Sequence, residues 1–363
     1  VVFSFILVIL LFLIGRIIYI SLVSGDKYKK QVLDQHDSDS KKIPYKRGDI
    51  VDRNGTVLAT SIDVYNIILD CKVLNANPKY ITSTVEKLVE YFPELEADAI
   101  YKLLKSKKNS QYIVLKKKVD YELVEPFKLM QKDEKKGEKI KGIWFEKEYI
   151  RYYPLSSLAS SIIGFSTSGN QGVNGLENYY NDELNGLNGR EYGFFNSDRE
   201  YEVTMKNPKN GNILTSTIDA TIQSIVEEKI LKLNELLAQN VVPEKPTVGV
   251  PVNPTVEMMQ ATKQAGSKHT GVVVMNPNNG EILAMANYPG FDLNNPRNLE
   301  PFFQENEIKA MADEKKLEFL NQLWQNFCIT STFEPGSTVK PFTVASGLDR
   351  GKLAGTEEFI CDG

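Results

Sequence analysis

Apolar residues run almost unbroken from Val1 to Ile14, and past Gly15 and Arg16 they resume from Ile17 to Val23. That is about the 20 residues a bilayer-spanning helix needs, so the pattern predicts a membrane anchor. A cleavable leader has a shorter apolar stretch ending in small residues, whereas Tyr19, Ile20, Leu22 and Val23 are bulky. Arg16 is expected near the outer end of the helix, where its long side chain reaches the interface. From Lys27 to about Ser40 the chain turns polar and rich in Asp and Ser, which reads as a stem.

Beyond the stem, the pattern alternates between strand and helix periods. Ile50, Val51, Val57 and Leu58 flank Asn54-Gly55, a pair suited to the positive φ angles of a hairpin turn. Val64 to Leu69 reads as another strand. Val85, Leu88, Val89 and Phe92 have helical spacing within a mixed lobe over residues 80–130, followed by a strand-like Tyr112 to Leu115. The Lys/Glu-rich stretch Gln131 to Lys141 is expected to be an exposed loop, and Trp144 to Tyr153 a strand. Residues 190–218 suggest strands around turns at Asn196-Ser197-Asp198 and Asn207 to Asn212. A helix capped by Asp219 is expected to carry Ile222, Ile225, Val226, Ile230, Leu233 and Leu237 on one face. Residues 242–270 read as a loop. Val272 to Met275 and Ile282 to Ala286, around Pro277-Asn278-Asn279-Gly280, give the clearest hairpin signal.

Composition narrows the class. With 363 residues, 42% hydrophobic and 25% charged, the chain is long enough for two or three domains with their own cores. The 43 basic and 47 acidic residues are interspersed and sum to -4, leaving no electrostatic footprint for nucleic acid. Cys71, Cys328 and Cys361 are far apart and the histidines are His36 and His269. Neither a metal cluster nor a disulfide framework is expected, and no cofactor is implied. Lys27, Lys29 and Lys30 beside the anchor favour a cytoplasmic body by the positive-inside tendency, yet long domains translocate regardless of such charges, so the residues leave topology open.

The candidate chemistry lies in Phe333-Glu334-Pro335-Gly336-Ser337-Thr338-Val339-Lys340. A serine hydroxyl needs a neighbouring base, and a residue three positions later on a helix shares its face. Lys340 is so placed, and to accept a proton its amine must be desolvated or set beside another cation. Pro335-Gly336 lets a helix begin near Ser337, where unpaired N–H groups favour developing negative charge. Pro341 is expected to make that helix open irregularly. Alone the spacing is weak, because Ser24/Lys27 and Ser38/Lys41 share it within the stem, and a serine here is more often an ordinary helix cap.

Several ordered blocks add specificity. Glu334 to Pro341, preceded by Asn326, resembles the active-site segment of class B penicillin-binding proteins. Arg47 to Gly55 with Leu58-Ala59, Arg151-Tyr152-Tyr153-Pro154 with Leu158, Ala159 and Gly164, and Gly172 to Glu177 with Tyr180-Asn181, Leu184 and Gly186 resemble blocks of that family's pedestal, or dimerisation, domain. Thr217-Ile218-Asp219 with Gln223, then Pro277 to Met285, resemble the opening of its transpeptidase domain. Read from the residues alone, the pedestal blocks are structural, with charges fixing strand ends and glycines serving turns.

The resemblance implies an α+β chain with an N-terminal transmembrane helix, an elongated mixed α/β pedestal and the start of a serine β-lactamase/transpeptidase-like α/β domain. The expected division is an anchor over 1–23, a stem over 24–40, a pedestal over 41–210 and the N-terminal part of a transpeptidase domain over 211–363. It further implies a D,D-transpeptidase that cross-links peptidoglycan stem peptides, with Ser337 as nucleophile and Lys340 as activating amine. β-Lactams would acylate the same serine, and the body would lie on the extracytoplasmic face of a bacterial membrane, among glycosyltransferase and cell-wall synthesis partners. The family completes its site with downstream SxN and KTG-like triplets, and neither occurs in the 26 residues after Ser337. The chain as given is therefore expected to be inactive. A β-lactam sensor or hydrolase relative and a non-catalytic morphogenesis scaffold are the alternative readings. The pedestal-like blocks, for which a hydrolase has no evident need, argue against the first.

Overall fold

The structure, a computed structural model, describes residues 10, 13, 16, 19, 40–133, 137, 139–195, 201–240 and 266–358. Leu10, Leu13, Arg16 and Tyr19 are helical, while the rest of the expected anchor and nearly all of the stem lie outside the described residues. Among the described residues no helix is long and apolar enough to cross a membrane. The turn at 196–198, most of the expected 242–270 loop and Cys361 also lie outside them. The chain divides into two compact units, Val1–Ala220 with Asp292–Pro296, and Thr221–Phe291 with Arg297–Gly363.

In the first unit the strands are β1 (Ser40–Ile43), β2 (Ile50–Val51), β3 (Val57–Leu69), β4 (Ile113–Asp120), β5 (Ile143–Tyr152), β6 (Ser166–Thr167), β7 (Gln171–Gly172), β8 (Gly189–Phe195), β9 (Tyr201–Lys206) and β10 (Leu214–Thr215). The two apolar runs expected as separate strands at 57–58 and 64–69 form the single strand β3. It pairs with β2 at its start, with β4 from Val64 to Leu69, and with β5 over Thr60↔Tyr152 to Leu69↔Ile143. Its polar Thr60, Ser61 and Asp63 do not interrupt it, because the β5 ladder continues through them.

Strand and helix periods meet in one core. Tyr65, Ile67 and Leu69 alternate onto one face of β3, where Val85 and Leu88, Ile100 and Leu104, and Val124, Phe127 and Met130 arrive at helical spacing. These come from the helices Ile81–Tyr91, Ala97–Ser106 and Tyr121–Lys132. Phe127 is fully buried and its ring meets Tyr91, Phe92 and Phe145 at centroid distances of 5.5 to 5.6 Å. The stretch expected as an exposed loop at 131–141 departs from that reading, since Gln131 and Lys132 end the third helix and Gly137 and Ile140 are buried. Ile140 joins the core, and a Cβ at Gly137 would sit 2.0 Å from the Gln131 carbonyl oxygen. The charged composition hid two residues that close the segment inward.

Residues from three distant blocks converge in a buried ionic centre. Arg47 Nε and Nη2 donate to one Glu177 oxygen at 2.8 and 2.7 Å, and Arg151 Nε donates to the other at 2.6 Å. Arg47 Nη1 reaches the Asn170 carbonyl and the Asn181 and Asn185 side chains, while Arg151 Nη1 donates to the Gly48 carbonyl at 2.7 Å. Arg47 and Glu177 are fully buried. Burial, then the Glu177 charge beside it, pushes the Tyr153 phenol far above its ordinary value. These charges do more than fix strand ends, because they bind the segments 47–48, 151–153 and 170–185 to one another. Gly164 belongs to this packing: its φ is +70°, and a Cβ there would meet the Asn174 carbonyl oxygen at 1.9 Å.

The Asn54-Gly55 hairpin forms as the pattern predicts, with Gly55 at φ +89°. Asp52 organises it, accepting from the N–H groups of Asn54 (2.8 Å), Thr56 (2.7 Å) and Ala220 (3.1 Å). Burial alone would raise its carboxyl, but those backbone N–H groups outweigh burial and hold it below the ordinary value.

Candidate active site

In the second unit, β11 (Thr270–Met275) and β12 (Ile282–Tyr288) form the expected antiparallel hairpin. Asn276 and Asn279 side chains accept from the N–H groups of Asn278 and Glu281, and Gly280 takes φ +77°, which closes the turn. The helix Ala220–Asn240 keeps only part of its predicted orientation. Ile230 is buried as expected, but Ile225, Leu233 and Leu237 are exposed, and Gln223 and Asn234 are buried beside Ile230. The reason is polar: Gln223 Oε1 accepts from Met285 N–H at 2.8 Å and its Nε2 donates to the Met285 carbonyl at 3.0 Å. Its amide thus pairs with β12 as another strand would, and Asn234 Oδ1 likewise accepts from Ser267 N–H and Oγ at 2.9 and 2.6 Å.

The hairpin carries the segment that leads to the nucleophile candidate. Asn326 is buried and caps the short helix Phe327–Thr330 by accepting from Cys328 N–H at 3.1 Å. It also accepts from Asn287 Nδ2 at 3.0 Å and donates to Met285 Sδ at 3.2 Å, tying the cap to β12. Phe327 stacks on His269 with centroids 5.2 Å apart, and burial, helped by Lys268, lowers the His269 pKa. Gly271 permits this approach, because a Cβ there would meet Cys328 Sγ and the Phe327 ring at 2.9 Å. Cys328 is half-buried and its thiol pKa is raised by burial, as is that of the fully buried Cys71.

Ser337 lies on a 3₁₀ turn, Gly336–Val339, that leads into the α-helix Lys340–Asp349. Gly336 adopts φ +55°, Thr338 N–H donates to the Pro335 carbonyl at 3.2 Å, and Lys340 N–H donates to the Ser337 carbonyl. In a 3₁₀ turn, residues i and i+3 eclipse, so Ser337 and Lys340 share one side. Pro341 occupies the first turn of the α-helix, where its missing N–H costs no intrahelical bond. The irregular opening is therefore this 3₁₀ turn. Both Ser337 and Lys340 are exposed, as are Phe333, Glu334 and Phe342. The turn sets serine and lysine three positions apart with both side chains exposed, and the described residues do not supply the desolvation that a lysine base requires. No group of His, Cys, Asp and Glu among the described residues is arranged to hold a metal ion.

Comparison with known proteins places these features. The Penicillin-binding Protein dimerisation domain family matches residues 42–216, and the Penicillin binding protein transpeptidase domain family matches residues 270–363. The probable peptidoglycan D,D-transpeptidase PenA of Neisseria meningitidis is 29% identical over 347 residues, covering 94% of this chain and 49% of that protein. The peptidoglycan D,D-transpeptidase FtsI of Escherichia coli is 28% identical, covering 95% of this chain and 50% of that protein. The chain thus spans about half the length of the curated relatives it matches. Among solved structures, Penicillin Binding Protein 2X of Streptococcus thermophilus shares the fold with a TM-score of 0.56 and 21% identity, over 86% of this chain and 42% of that one. A complex between the penicillin-binding protein PBP2 and MreC of Helicobacter pylori gives 0.52 and 18%, over 89% of this chain and 56% of that one.

Proposed function

This chain belongs to the class B penicillin-binding proteins, and on that premise we propose that the complete protein is a peptidoglycan D,D-transpeptidase with Ser337 as nucleophile and Lys340 as activating amine. The observation that carries the reading is the 3₁₀ turn at the mouth of a helix, a geometry in which residues three apart, as Ser337 and Lys340 are, fall on one side. Ser337 N–H has no acceptor among the described residues, which suits it to donate to a developing oxyanion.

In the proposed reaction the neutral Lys340 amine takes the Ser337 hydroxyl proton as Oγ attacks the carbonyl of a peptidyl-D-alanyl-D-alanine stem. The C–N bond to the terminal D-alanine then breaks, that amine leaves with a proton, and an acyl ester remains on Ser337. An amine from a second stem attacks the ester, restores the hydroxyl and forms the cross-link. A β-lactam would stop at the ester.

The domain reading proposed with it is an anchor over 1–23, a stem over 24–40, a pedestal over 41–210 and transpeptidase sequence over 211–363. The body would lie on the extracytoplasmic side of the membrane, where lipid-linked peptidoglycan is presented. Cell-wall synthesis proteins are proposed partners, consistent with a related fold having been solved as a complex with MreC. Mass spectrometry of the complete protein after labelling with a fluorescent penicillin tests the assignment. An adduct on Ser337, reduced at least about 1,000-fold in rate by Ser337→Ala, is expected; labelling at another residue would overturn it.

A further inference from the structure

Strand β5 is the outermost strand on its side of the sheet. Its whole length pairs with β3, and among the described residues no backbone group meets its other edge. Apart from the Ile143 carbonyl, which accepts from Gln131 Nε2 at 3.1 Å, an edge of this length presents N–H and C=O groups that an extended chain can pair with. Beside it lies a groove of about 630 Å³, lined among others by Lys42, Asn66, Tyr112, Glu146, Glu148 and Glu191.

Two acids of the groove, Glu146 and Glu148, have no cationic partner among the described residues. Glu146 accepts from Tyr112 O–H at 2.7 Å and Trp144 Nε1 at 3.2 Å, and Glu148 accepts from Asn66 Nδ2 at 2.9 Å. All three donors are neutral, so no cation among them offsets either carboxylate. The Tyr112 phenol registers this, being pushed up to about 12 first by its bond to Glu146 and then by burial. Glu191 stands opposite Lys41 in the β1–β8 register and adds nothing to this count. Of the lysines lining the groove, Lys147 is already held by Asp63 at 2.7 Å, and Lys42 remains.

We propose that this edge and groove dock an extended, lysine- or arginine-bearing segment of a protein partner. The segment adds to β5 as a strand through main-chain hydrogen bonds. Glu146 and Glu148 are two residues apart and so face the same side of β5, matching cations on alternate residues of the incoming strand. The rings of Tyr112 and Trp144, 6.1 Å apart, give the aliphatic stems of those cations an apolar surface. This inference is independent of acyl transfer at Ser337.

The test uses the full chain and a fluorescently labelled peptide, Lys-Val-Lys-Val-Lys-Val, followed by anisotropy. Saturable binding is expected, weakened about tenfold or more by the double substitution E146Q/E148Q and weakened by added salt. Glutamine keeps acceptors for Tyr112, Trp144 and Asn66, and an unchanged melting curve identifies a folded variant. A peptide methylated on alternate backbone nitrogens should not bind. Equal binding of that methylated peptide, or of Glu-Val-Glu-Val-Glu-Val, overturns the proposal. So does an absence of saturable binding, which would leave the charges as guards against edge pairing, and so does displacement of the peptide by chitotetraose, which would make the groove a glycan site.

Discussion

The Arg47–Glu177–Arg151 centre and the Ser337–Lys340 turn are opposite solutions to placing charged and polar groups. In the first, three residues up to 130 positions apart are buried and joined by bonds of 2.6 to 2.8 Å. In the second, two residues three positions apart are exposed, and only their backbones are bonded to each other. Burial makes the first centre a fastener, because removing one member leaves the others charged in a low dielectric. Exposure leaves the second hydrated, so changing either residue costs little to folding.

That contrast is sharpest at Glu177. Glu177→Ala should destabilise the first unit by about 3–5 kcal/mol, since two guanidinium groups lose their shared carboxylate; urea unfolding measures it, and a loss below about 1 kcal/mol would break the comparison. Gly164→Ala should cost about 2–5 kcal/mol through a strained φ and a backbone clash, without touching a charge. It separates packing around the centre from its electrostatics.

Asp52→Asn is expected to cost about 1–3 kcal/mol at neutral pH, by replacing a carboxylate that three N–H groups address. Its pH dependence has a definite sign. The folded pKa is depressed, so this stabilisation is complete above the ordinary carboxylate value and disappears as pH falls through the lower folded value. The gap between wild type and Asp52→Asn in urea midpoint should therefore narrow on acidification. The smallest effects belong to the turn: Ser337→Ala and Lys340→Ala should each change stability by no more than about 0.5 kcal/mol. A large loss at either would show that the turn is a structural fastener as well.

Local chemistry was legible wherever neighbours in sequence decide the outcome. Asn54-Gly55 and Asn279-Gly280 marked their hairpins because the positive φ of each turn falls on its glycine. Pro335-Gly336 and Pro341 marked the irregular turn at Ser337 for the same reason. The β3 core face and its helices followed from periods of 2 and 3.6 in apolar residues.

Partners distant in sequence were not legible. Arg47, Arg151 and Glu177 stood out as members of separate blocks, but nothing in their spacing joined them into one centre. The helix Ala220–Asn240 is the clearest case, for its leucines and isoleucines suit more than one face. Only the free backbone of Met285 and the N–H and hydroxyl of Ser267 select the face carrying Gln223 and Asn234. By itself the amino-acid order determined the turns, the periods and the serine-lysine spacing, since each depends on backbone geometry within a few residues. Tertiary structure alone decided which polar groups are buried, because a buried donor or acceptor must find its partner wherever the fold brings one.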